Sequence, residues 1–122
     1  MFENDFVMRT IHDMTRMILK LLFGIDPEAE DYELNQESDE VYQKLLDMIK
    51  NGQINEAENW VYELTEKADM DYLEVGVLFY DRLNELDNKT LDNLDYSREE
   101  IAEGLKSLLD RYGYAGLADS LK

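Results

Sequence analysis

Met70-Asp71-Tyr72-Leu73-Glu74-Val75-Gly76-Val77-Leu78-Phe79-Tyr80-Asp81-Arg82-Leu83-Asn84-Glu85-Leu86 is the stretch that decides the fold. It opens as a helix should. Asp71 stands at the N-cap with Glu74 three residues on, and Met70 is placed to staple onto Val75. Leu73, Val75, Val77, Leu78, Phe79, Tyr80, Leu83 and Leu86 then leave only a narrow charged stripe through Glu74, Asp81 and Glu85. A helix that is apolar nearly all round must be covered nearly all round, which places it in the middle of a helical bundle.

The flanking sequence supplies the covering helices. Downstream, residues 87–95 are polar except for Leu91 and Leu94 and read as one short turn. Tyr96-Ser97-Arg98-Glu99-Glu100-Ile101 repeats the start signal, with Ser97 as cap and Glu100 closing the box. Ile101, Leu105, Leu108, Leu109 and Tyr112 form the next face, Gly113 stops it, and a short last helix runs from Ala115 to Leu121. Upstream, Ser38 or Asp39 caps a helix carrying Val41, Leu45, Met48 and Ile49, which ends at Asn51-Gly52. A third helix follows at once through Ile54, Ala57, Val61 and Leu64.

The first segment, Phe2 to Phe23, has Val7, Ile11, Met14, Ile18 and Leu22 at helical spacing, with Gly24 and Pro27 as stops. Arg9, His12, Arg16 and Lys20 mark its opposite side. Residues 26–37 are acidic, lack apolar periodicity and read as a solvated loop. No segment alternates as a strand does. The expected fold is therefore all-α, a single domain over residues 1–122 with five to six helices in an antiparallel bundle. It divides into an amphipathic helix at 1–24, an acidic loop at 25–38 and a helical bundle at 39–122.

Composition narrows the function. The 122 residues include 12 Lys and Arg against 29 Asp and Glu, a net charge of −17. Nucleic acid and anionic membranes recruit basic surfaces, so neither is an expected partner. Residues 1–25 hold three acids (Glu3, Asp5, Asp13) and three bases (Arg9, Arg16, Lys20), so the whole −17 falls on residues 26–122. The chain has no Cys and one His, which removes thiolate chemistry and His-rich metal sites. Glu3 and Asp5 stand where a secretion signal needs positive charge, and the apolar stretch Met17 to Ile25, broken by Lys20 and Gly24, is too short for a membrane span. A cytoplasmic protein is the expectation.

Three motifs bear on chemistry. Gly52-Gln53-Ile54-Asn55-Glu56-Ala57, continuing to Val61 and Leu64, has the turn Gly and small packing Ala of a tetratricopeptide-like helix-turn-helix. Any antiparallel helix pair needs the same two residues, and the pattern does not recur as an array. A 12-residue calcium frame from Asp47 to Glu58 places Asn51, Gly52, Ile54 and Glu58 correctly but has Ile49 where an oxygen ligand belongs. A second frame, Asp26 to Glu37, fails at Pro27 and Asp31. There is no Glu-x-x-His pair, phosphate loop or nucleophile elbow, and His12 reads as a surface residue. No catalytic residue, cofactor or metal site is expected, and the chain is not expected to be an enzyme. Trp60 and Tyr62 lie off the third helix's stripe and read as a second packing face rather than as partner anchors.

Asp5-Phe6-Val7-Met8-Arg9 with Ile18 to Phe23, Asn55 to Asn59 through Leu64, and Asp95 to Glu100 together resemble short, acidic bacterial proteins grouped as a domain of unknown function. That resemblance implies a cytosolic all-helical protein and carries no catalytic residues.

A protein–protein interaction or scaffold module is the functional expectation. The first helix is its contact element, because Phe6, Leu21 and Phe23 with Met8 and Met17 make it more apolar than a surface helix needs. Arg9, Arg16, Lys20, Met8 and Met17 are the candidate partner-binding residues, with another protein or a second copy of the chain as partner. The competing readings are an acidic nucleic-acid mimic that inhibits a basic protein, and a weak calcium-binding helix-loop-helix protein.

Overall fold

The computed structural model describes residues 2–26, 28–29 and 32–119. Pro27, Asp31 and Leu121, read above as a helix stop, a calcium-frame position and the end of the last helix, lie outside the described residues. Seven helices occur among the described residues, and no strand: α1 (Phe2–Phe23), α2 (Gln36–Lys50), α3 (Ile54–Leu64), α4 (Met70–Asn84), α5 (Asn88–Asn93), α6 (Arg98–Arg111) and α7 (Ala115–Asp119). Five are long, while α5 and α7 span six and five residues.

The central placement of α4 follows from its sequence. It packs against α1, α2, α3 and α6. Leu73, Val75, Val77, Leu78, Phe79, Tyr80 and Leu83 are all buried in it. Gly76 and Gly104 let helices approach closely. A Cβ at Gly76 would meet Leu108 at 2.7 Å and Val61 at 3.3 Å, so α3 and α6 both close on α4 at that point. A Cβ at Gly104 would lie 2.6 Å from the Tyr80 ring.

Two caps differ from the sequence expectation. Asp69, not Asp71, caps α4; its side chain accepts from the Asp71 amide at 2.8 Å, and Met70 becomes the first helical residue, 37% exposed rather than stapled. Both acids can cap; Asp69, next to Ala68 with its left-handed φ of +55°, takes the extended backbone of the cap position. Similarly, Asn35 caps α2, accepting from the Ser38 amide at 2.8 Å, and Ser38 is buried inside the helix. Ser97 caps α6 as expected, accepting from Glu100 N at 3.1 Å. Gly52, between α2 and α3, has a φ of +78°, a conformation that costs a residue with a Cβ about 1–2 kcal/mol.

The expected solvated loop is instead tied to the core. Ile25, Tyr32 and Leu34 pack on it. Tyr32 Oη donates to Glu74 at 3.0 Å and Asn35 Nδ2 to Asp71 at 3.2 Å. Tyr72 Oη reaches back to Glu37 at 3.0 Å. The segment carries few apolar residues, and its three large described ones all pack on the core.

Two buried charges were invisible in the sequence. Arg98 is 4% exposed. Its Nη1 donates to the Asn84 carbonyl at 2.6 Å and its Nη2 to the Leu86 carbonyl, so it satisfies acceptors left open at the end of α4. Asp81, expected on a charged outer stripe, is buried against α1. Glu58 accepts at one oxygen from Tyr80 Oη at 2.7 Å and Tyr96 Oη at 3.1 Å. Burial and that shared carboxylate push both phenols well above the ordinary tyrosine range.

Candidate functional site

α1 presents three arcs, set by its rotation of about 100° per residue. Ile11, Met14, Thr15, Ile18 and Leu19 are buried and form the inner arc. Arg9, His12, Arg16 and Lys20 form a second arc whose inner edge borders α4. Thr15 Oγ1 lies 3.0 Å from Asp81 Oδ1, His12 Nδ1 lies 3.9 Å from the same oxygen, and Arg16 Nη2 lies 4.0 Å from Oδ2. Arg16 Nη2 also pairs with Glu28 at 3.3 Å, so this guanidinium is committed within the chain. Its Nε and Nη1 are buried without a hydrogen-bond partner among the described residues.

Phe6, Thr10, Met17 and Leu21 form the third arc, about 60° wide, on the flank turned away from Asp81. Phe6 is 71% exposed and Leu21 is 62% exposed, and Met17 and Thr10 between them are half-buried. The other exposed large apolar residue among those described is Met70. This flank is therefore where α1 keeps apolar surface in water. Phe23, grouped with them by sequence, instead packs on the core.

The five residues expected to bind a partner do not share one surface. Arg9 is exposed and, with half-buried Met8, borders a small groove of about 280 Å³ beside Asn84 and Glu85 of α4. Asn84 Nδ2 donates to the Met8 carbonyl at 2.8 Å, locking α1 to α4 there. Arg16 is held by Asp81 and Glu28, and Lys20 is exposed at the outer edge of the second arc. Only Met17 lies on the apolar flank. Sequence reasoning noticed Phe6 and Leu21 as surplus apolar residues but gave the site to the charges; their shared helical phase with Met17 was the available signal.

A larger cleft of about 830 Å³ opens between α1, α2 with the segment before it, and α4. Arg16, Tyr32, Tyr42, Asp81 and Glu85 are among its lining residues. Burial raises the pKa of Tyr42, partly offset by nearby Arg82. Burial also raises that of Tyr32, and Glu74 adds to the effect.

The calcium frame does not form a loop. α2 runs to Lys50, α3 starts at Ile54, and Glu58 points to Tyr80 and Tyr96. No group of three or more His, Cys, Asp or Glu positioned to hold a metal occurs among the described residues. Trp60 and Tyr62 are half-buried; Arg111 stacks over the Tyr62 ring at 5.2 Å and donates to its carbonyl at 2.8 Å. No helix among the described residues is long and apolar enough to cross a membrane.

Residues 1–113 match a family described as a family of unknown function, DUF6483. The match spans nearly the whole chain, and the chain belongs to that family. No curated protein and no solved structure matches it.

Proposed function

We propose that this member of the DUF6483 family is a protein-interaction module without catalytic activity, and that its contact face is the apolar flank of α1. The exposure of Phe6 and Leu21 carries the reading. Each holds roughly 1–2 kcal/mol of hydrophobic stabilisation that only a covering surface can recover. They share an arc with Met17, an adaptable side chain suited to a contact surface. The flank also lies in the one segment free of net charge, so a partner docking there meets the least of the −17 field. The α2–α3 hairpin, with Gly52 at its turn and Ala57 fully buried, serves in this reading as a tetratricopeptide-like scaffold that supports α4.

The test is site-specific photo-crosslinking in cells, with a photoreactive phenylalanine analogue placed at Leu21 or at Lys44, which is exposed on α2. A discrete protein adduct at position 21, well above that at position 44, is the expected result. Adducts at 44 but not at 21 would overturn the assignment of the face.

A further inference from the structure

We infer that the occupant of this flank is a second copy of the chain, with two α1 helices packed antiparallel about a twofold axis that passes beside the Asp13–Met14 peptide. The inference rests on the reading of the flank as a contact face and names its partner.

The spacing of the flank carries the geometry. Phe6 and Leu21 are equidistant from the Asp13–Met14 peptide, and so are Thr10 and Met17. An antiparallel helix pair crossing there sets Phe6 against the partner copy's Leu21 at both ends. Thr10 then faces the partner copy's Met17 twice in the middle. A twofold interface must be self-complementary, and this arrangement joins a large ring to a branched aliphatic and a small side chain to a flexible one. The two outer contacts stand about 22 Å apart at 1.5 Å per residue, a span that fits one helix face.

Charge selects the same partner surface. Two copies each bring −17, and any pairing through residues 26–122 sets acidic surface against acidic surface. Pairing through α1 joins two neutral segments and holds the acidic bodies apart. Such an interface strengthens with salt, because screening weakens the remaining repulsion while apolar contact is retained. A pairing of Arg9 and Lys20 with an acidic body would instead weaken with salt. In the antiparallel register the two exposed Asp13 carboxylates flank the axis within about 10 Å of each other, a repulsion the assembly tolerates.

Sedimentation equilibrium of the full chain across micromolar concentrations and two salt levels is the test. We expect a monomer–dimer equilibrium with a dissociation constant on the order of 1–100 μM, as befits a small interface. It should be tighter in high salt. Phe6→Glu or Leu21→Glu should raise the constant at least about 100-fold, since each change acts twice in the dimer and buries a charge. Asp13→Asn should lower it about three- to five-fold. Unchanged far-ultraviolet dichroism keeps these exposed substitutions interpretable. A monomer at every concentration, a dimer indifferent to Phe6 and Leu21, or a dimer weakened by salt would each overturn self-pairing. A monomer that still crosslinks to a different protein through position 21 would overturn self-pairing alone and leave the contact face standing.

Discussion

Gly104→Ala should destabilise the fold, although alanine is the better helix former. The added Cβ would stand 2.6 Å from Tyr80 Cε1 and Oη and 2.7 Å from Cζ. Tyr80 has nowhere to go. It is fully buried, its hydroxyl donates to Glu58 at 2.7 Å, and its ring sits edge-on to Phe79 at 5.1 Å between centroids. Restoring ordinary contact moves the ring by roughly 1 Å, an overpacking that costs about 1–3 kcal/mol. Weakening a hydrogen bond to a carboxylate adds about 1–2 kcal/mol. Helix propensity returns about 1 kcal/mol. The net loss is about 1–4 kcal/mol, which lowers Tm by about 3–20 °C at this chain length. Urea denaturation with a common m-value reads it directly, and Gly116→Ala, which meets nothing within 4 Å, is the control. A Gly104→Ala chain at least as stable as the parent would refute the account of α4 and α6 in contact through a glycine.

Other consequences are checked as simply. Tyr80, Tyr96 and Tyr32 are held well above the ordinary tyrosine pKa, and burial, with the nearby charge of Asp69, raises Tyr112 to about 12. A raised folded-state pKa means stability that is complete below about pH 10 and is lost as pH rises past it. Tm should hold level to about pH 9.5 and then fall, with the tyrosinate absorbance of these four residues appearing only as the chain unfolds; ionisation of all eight tyrosines in an intact fold would contradict this. Arg98→Ala should cost about 3 kcal/mol in chemical denaturation, because the Asn84 and Leu86 carbonyls lose their donors. Arg98→Lys should recover less than half, since an ammonium lacks the guanidinium fork. Asn35→Ala should cost about 1 kcal/mol by the same measurement, through loss of the α2 cap.

What the sequence made legible was what local chemistry decides. α1 ends before Gly24 and α6 starts after Ser97 because those residues do their work within a few positions. The central role of α4 was legible because burial of so many apolar residues on one helix leaves no other place for it. Legibility failed where two residues could do one job, as Asp69 and Asp71 can, and the cap fell to Asp69. It also failed where partners lie far apart in sequence. Asp81 meets Thr15 across 66 residues and Tyr32 meets Glu74 across 42, so one was read as a solvated charge and the other as part of a solvated loop. The candidate face was half legible. Its surplus of apolar residues could be seen in the composition of α1, while the basic stripe drew attention to Arg16, which pairs with Asp81 and Glu28 within the chain.

Cysteine mapping across the α1 flank tests the central claim most directly, because the chain has no Cys of its own. Chains carrying Phe6→Cys are mixed with chains carrying Leu21→Cys under mild oxidation. In the mixed dimer the second Phe6–Leu21 pair stays native. A disulfide needs Cα atoms within about 7 Å. Antiparallel α1 pairing predicts a mixed disulfide far in excess of either symmetric one, since like positions lie about 22 Å apart. Equal amounts of all three species, or symmetric disulfides in excess, would contradict it.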